Sequence, residues 1–371
     1  MTRTSRVPMV LDDTLLDDPA RLADADTAGV LRAAAMAGAQ VRASHEQAAE
    51  LDLAGRLGGH QPRALILLTR TGTGAAVARM LVASLTPRCQ LPVVLADTVP
   101  EWAGPLDVVY GHTHDPGDQE LAESLARACR HGAGVVISAP ADGPVAAAVA
   151  GRGKVLAPRS ELRSRRDVTH ALACGLQVIS AMGLREVDPV ALADELDAEA
   201  ARNQLGHESF VNPAKSLALR LGDRIPLLWG LDPLATAVAG YAAEALATDA
   251  AMVCDVADYR HAVTRTALHR AAVSLSESHD IFADPYESGA ATTGPELRVI
   301  LLAVRDGPEV AATRRMAEDT LGAADIIDAA EEVTAEEPVR AAVLALRFEL
   351  AAIYLGLATG TIGGAGQFAP A

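Results

Sequence analysis

Between residues 62 and 160 the chain alternates short, unbroken apolar runs with stretches of helical spacing. The runs are ALILL (64–68), LPVVLA (91–96), LDVVY (106–110), GVVISA (134–139) and KVLAP (154–158). Apolar residues at every position, rather than every second one, predict strands buried on both faces, hence parallel sheet inside α/β layers. A long helical stretch at 167–205 follows. A second series of runs then begins: RIPLLWG (224–230), AAMVCDV (250–256), LRVILLAV (297–304) and ADIIDA (324–329). The first 60 residues have another pattern. DTAGVLRAAAMAGAQVRASHEQAAELDLAGRL is rich in Ala, carries Leu and Val at helical intervals and has no proline, which predicts helix.

The two series resemble one another. LILLTRTGTGAAVARMLVASL (65–85) lies over PLLWGLDPLATAVAGYAAEAL (226–246) at an offset of 161, and VVISAPADGPVAAAV (135–149) over ILLAVRDGPEVAATR (300–314) at 164. The pattern predicts a tandem of two similar α/β units. The expected division is an N-terminal helical segment (1–60), a first unit (61–185), a connecting helix (186–210) and a second unit (211–371).

Composition narrows the partners. Half of the 371 residues are apolar and 3% are aromatic, so the cores must be built from Ala, Val and Leu. A net charge of −16 argues against nucleic acid or an anionic membrane as partner. Cys89, Cys129, Cys174 and Cys254 have no CxxC spacing, which suggests reduced thiols in a cytoplasm. No signal peptide is visible, and no apolar run is read as nearing the roughly 18 residues of a membrane-spanning helix.

Two strand–helix turns carry candidate chemistry. LLTRTGTGAAVARML leaves a strand, turns through Gly72 and Gly74 and enters a helix, where backbone N–H groups face an anion. Thr69, Thr71 and Thr73 add hydroxyls and Arg70 adds charge. The other turn, GHTHDPGDQE (111–120), holds His112, Thr113, His114, Asp115, Asp118 and Glu120. Asp115 followed by Pro116 predicts a helix N-cap with proline at the first helical position, and Leu121, Leu125 and Ala128 predict the buried stripe. A carboxylate there disfavours phosphate, at roughly 1–4 kcal/mol per charge pair about 4 Å apart. His112, His114 and an acid could share an ion, but the set lacks a third histidine, so no metal is expected.

The stretch VNPAKSLALRLGDRIPLLWG (211–230) is similar to the Asn-x-Ala-Lys…Ile-Pro-hydrophobic-Gly signature of bifunctional phosphoglucose/phosphomannose isomerases. These belong to the SIS (sugar isomerase) family. The likeness extends to LRVILLAVRDGPEVAATRRMAE, and DDPARLADADTAGVLRAAAMAGAQVRAS resembles the actinobacterial branch sometimes labelled TobH. The resemblance implies two SIS domains, a homodimer, a sugar phosphate or carbohydrate derivative as ligand, and acid–base chemistry without metal or cofactor. The family's phosphate loop, Ser-Tyr-Ser-Gly-Asn-Thr-Glu-Glu, falls on the HTHD turn, where Thr113 alone keeps a hydroxyl.

The resemblance also implies roles. Arg165 falls at the arginine that stabilises an enediolate oxygen. The catalytic glutamate falls on Leu246, with Glu244 two residues away on another helical face. The ring-opening histidine falls on His279, in SHDIFADP, or on His261 by spacing. The family's terminal active-site lysine has no counterpart, because no lysine follows Lys215. The expected function is therefore a sugar-phosphate-related SIS protein with a degenerate site and weak or no isomerase activity. An active aldose–ketose isomerase using a shifted carboxylate stays open as the alternative.

Overall fold

In the computed structural model the described residues are 11–59, 62–85, 89–159, 167–277 and 296–363. Among the described residues five helices come first: α1 (Asp13–Leu16), α2 (Pro19–Ala25), α3 (Val30–Ala35), α4 (Ala37–Glu50) and α5 (Leu53–Leu57). The first sheet holds β1 (Ala64–Leu68), β2 (Val93–Ala96), β3 (Asp107–His112), β4 (Gly134–Ser138) and β5 (Lys154–Leu156). Its helices are α6 (Thr73–Ser84), α7 (Gln119–Arg130) and α8 (Gly143–Val149). Three helices, α9 (Val168–Ala181), α10 (Pro189–Arg202) and α11 (Pro213–Leu221), lead to the second sheet. That sheet holds β6 (Arg224–Gly230), β7 (Asp255–Asp258), β8 (Glu296–Ala303) and β9 (Asp325–Asp328). Around it lie α12 (Pro233–Ala250), α13 (Tyr259–Thr264), α14 (Thr266–Glu277), α15 (Pro308–Thr320), α16 (Ala329–Glu332) and α17 (Glu337–Thr359).

Both sheets are parallel throughout. Their orders are β2-β1-β3-β4-β5 and β7-β6-β8-β9. The central strands are the ones with unbroken apolar runs: every residue of β1 and of β3 is buried, whereas the edge strand β2 is half-buried. Helices on both faces leave no wet side for alternation to mark.

Three expectations need correction. The apolar run at 250–256 is not one strand: Ala favours helix, so α12 continues to Ala250 and β7 starts only at Asp255. The second repeat match pairs strands that are not equivalent. By position in the sheets β1 corresponds to β6 and β3 to β8, so the match at offset 164 laid β4 over β8. β6 starts 160 residues after β1 but β8 starts 189 after β3, because the β7–β8 connection is longer and contains α13 and α14. Finally, α17 is long and apolar enough to cross a membrane, with mean hydropathy 1.8, contrary to the expectation that no run nears that length. All of that window is buried inside the protein: α17 packs against α10, α11 and α12 as a central core helix.

Candidate functional site

The crevice of an open parallel sheet lies where connections from neighbouring strands leave in opposite directions, beyond the strands' carboxyl ends. In the first sheet that point lies between β1 and β3. Two turns meet there, residues 69–73 after β1 and 113–118 after β3.

Gly72 has φ +79° and no side chain caps α6 behind it, so the first amides of the helix keep their donors without a capping side chain. Gly74 must be glycine for packing: a Cβ there would stand 2.6 Å from the carbonyl oxygen of His112. The helix start is thereby pressed directly onto the end of β3. A Cβ on Gly72 would stand 3.6 Å from His114 Cε1 and 3.8 Å from Glu244 Oε1. Glu244 comes from α12 of the second unit, which packs on α6. Burial raises the Glu244 carboxyl above its usual value, with Arg79 opposing. Two turns of the first unit and one carboxylate of the second therefore converge on one point.

The surrounding polar groups are largely committed. Arg70 reaches Asp118 and Asp97 at 2.7 Å each and Glu120 at 3.3 Å, so one guanidinium is shared by three acids. The Thr113 hydroxyl accepts from the Asp115 amide at 3.1 Å, and Asp115 Oδ1 accepts from Gly117 N at 2.8 Å. Asp115 is therefore a turn residue. The N-cap of α7 is Asp118, which accepts from Leu121 N at 3.0 Å, three residues later than expected. Leu121, Leu125 and Ala128 are buried as expected.

His112 and His114 separate completely. His114 is exposed. His112 is buried, with Nδ1 3.0 Å from Ser138 Oγ and Nε2 2.9 Å from Asp167 Oδ1. Burial pulls the Asp167 carboxyl up, but His112 and His170 pull it further down, so it lies below its usual value. His170, within 3.6 Å of Cys174 Sγ, is pushed down to about 4 by burial. Among the described residues no group of three or more His, Cys, Asp and Glu is placed to share an ion.

Of the remaining sequence candidates, Thr69 and Gly72 are half-buried, Thr71 is exposed, and Thr73 and Gly74 are buried. His261 is exposed on α13. Arg165 and His279 lie outside the described residues.

In the second unit the corresponding crevice, between β6 and β8, is differently filled. Asp232 is 3% exposed. Its Oδ1 accepts from Leu234 N and Ala235 N, both at 2.9 Å, and its Oδ2 from Val304 N and Arg305 N at 2.9 and 3.1 Å. Asp-Pro before a helix signals the cap in sequence; the link to residues 304–305 has no local signal.

Residues 210–361, which contain α11, all of the second sheet and α17, match the family of bacterial phospho-glucose isomerase C-terminal SIS domains. The chain resembles the SIS family. Its fold is shared with several solved structures over nearly the whole length. A hypothetical protein from Thermus thermophilus superposes with TM-score 0.62 at 12% identity, covering 93% of this chain and 89% of the other. Tagatose-6-phosphate ketose/aldose isomerase from Escherichia coli gives 0.55 at 11% identity, covering 86% and 90%. The C-terminal domain of glucosamine-fructose-6-phosphate aminotransferase from Francisella tularensis gives 0.54 at 9%, covering 87% and 93%. No curated protein matches at the sequence level. The SIS signature residues Asn212 and Lys215 have structural work in this chain. Asn212 caps α11, and buried Lys215 donates to the carbonyls of Leu205 and His207 at 2.8 and 2.6 Å.

Proposed function

We propose that this protein is an SIS-type carbohydrate-derivative-binding protein, descended from phosphosugar isomerases, whose ligand sits in the first-unit crevice and whose isomerase turnover is weak or absent. The observation that supports the site is the convergence of Gly72, His114 and Glu244. The observation that argues against efficient catalysis on a phosphosugar is the state of Arg70: its charge is consumed by Asp97, Asp118 and Glu120, so it offers no free cation to a phosphate. The test is calorimetric titration with glucose 6-phosphate, fructose 6-phosphate and the unphosphorylated sugars. Saturable binding that Gly72→Ala and Glu244→Gln both weaken is expected. No saturable heat from any of the panel, or binding indifferent to both variants, would overturn the reading.

A second reading is favoured by one feature. Glu244 is half-buried with a raised pKa and faces Gly72, as His114 does, which suits a proton shuttle between C1 and C2 of an open sugar. In that case the chain is an isomerase with a shifted base, and Arg165 and His279 are the further groups to test.

We also infer that the two units arose by duplication, with bounds near 61–185 and 211–371. The shared order of four strands supports this. An experimentally determined structure with an antiparallel strand in either sheet would contradict it.

A further inference from the structure

The two crevices are built alike but filled differently. Asp232 is the N-cap of α12, the place that Gly72 holds before α6, and the segment after β3 corresponds to the segment after β8. In the first unit Thr71 is exposed, and the carboxylate that links the two turns, Asp118, caps its own helix and takes the Arg70 side chain at 2.9 Å rather than backbone N–H groups of the other turn. In the second unit one carboxylate takes four backbone N–H groups, two from the start of α12 and two from the end of β8.

An ordinary N-cap uses one side-chain oxygen on its own helix. Asp232 does that with Oδ1 and goes further with Oδ2, which ties α12 to residues 72 positions on. Four converging amides in a buried place form the kind of cradle that holds a bound anion, with the positive end of an 18-residue helix behind two of them. An anion is in fact there, and it belongs to the chain. Beyond it a cavity of about 510 Å³, lined by Asp258, Arg260, Arg305 and Glu309 among others, lies open. Arg305 is itself engaged, by the Ala83 carbonyl and by Glu337 at 3.3 Å.

We propose that Asp232 is a built-in occupant of an anion cradle in the second unit, taking the four backbone N–H groups that an anionic ligand in that crevice would otherwise use. The inference stands independently of which sugar the first unit takes, or whether it takes one.

Anion rescue tests it on the full-length protein. Asp232→Ala empties the cradle, and Asp232→Asn leaves it filled but uncharged, with one amide NH₂ facing backbone donors. Both variants should melt below the unmodified protein. Inorganic phosphate or sulfate, against chloride at matched ionic strength, should raise the Tm of Asp232→Ala in a saturable way beyond any response of the unmodified protein. Asp232→Asn should gain no such increment. If Asp232→Ala is insoluble, its refolding yield in phosphate against chloride gives the same reading. Equal yields, an Asp232→Ala response no larger than that of the unmodified protein, or an Asp232→Asn variant as stable as the unmodified protein would each overturn the proposal.

Discussion

Replacing His170 by Gln should flatten the acid side of the stability profile. His170 is 2% exposed on α9, wedged between Asp167, Cys174 and the Leu156 carbonyl. Burial disfavours its charged form, and the folded-state pKa is pushed from 6.5 to about 4. A group with a depressed basic pKa takes up its proton in the unfolded chain first, so stability falls as pH drops below 6.5 and the loss is complete only below about 4. At about 1.36 kcal/mol per unit of pKa difference, the linkage removes about 2 kcal/mol by pH 5 and about 3 kcal/mol by pH 4. Asp167 adds a separate loss at lower pH. Its carboxyl is held below 3.8, so its contribution disappears only as pH falls through that range. The assay is urea unfolding of the unmodified protein and His170→Gln in steps from pH 7.5 to 4.5, read as the difference between them. That difference should shrink by about 2 kcal/mol between pH 7 and 5. A constant difference over this interval would refute the claim that the His170 imidazole is buried and uncharged in the folded protein.

Other substitutions probe the frame of the site. Glu199→Ala should cost up to about 3–5 kcal/mol in denaturant unfolding, because buried Arg347, whose Nε lies 2.7 Å from the fully buried Glu199 carboxylate, is left with Glu332 alone. Lys215→Met should cost about 2–4 kcal/mol by the same measurement, since the carbonyls of Leu205 and His207 lose their shared donor. Gly74→Val should cost about 1–3 kcal/mol or more, because its Cβ would meet the His112 carbonyl oxygen at 2.6 Å; a Tm within a degree of the unmodified protein would contradict that packing.

What could be read in the chain was governed by how local the cause is. β1 announces itself because a doubly covered strand is apolar at every position, and β3 does so through its Val108-Val109-Tyr110 centre. β7 was misplaced because the Ala-rich end of α12 is equally apolar and only its neighbours decide. In the turn after β3, Asp115 and Asp118 both satisfy the rule for a cap. The Thr113 hydroxyl and Gly117 settle the choice by taking Asp115 into a turn. The His112–Asp167 pair joins residues 55 apart, and Glu244 meets Gly72 across the two units. Spacing along a helix revealed that Glu244 was off the family's face, but only packing shows what it faces instead. The Asp232 cap was legible as Asp-Pro, whereas the two amides from the end of β8 were not.

The most direct test of the functional account is a coupled assay for interconversion of glucose 6-phosphate and fructose 6-phosphate, run on the unmodified protein beside Glu244→Gln, Arg165→Ala and His279→Ala. The account predicts turnover near background in all four, while ligand binding still depends on Glu244. Turnover of the unmodified protein in the ordinary enzyme range of about 1–10³ s⁻¹, abolished by Glu244→Gln, would contradict it and establish a working isomerase with a displaced base.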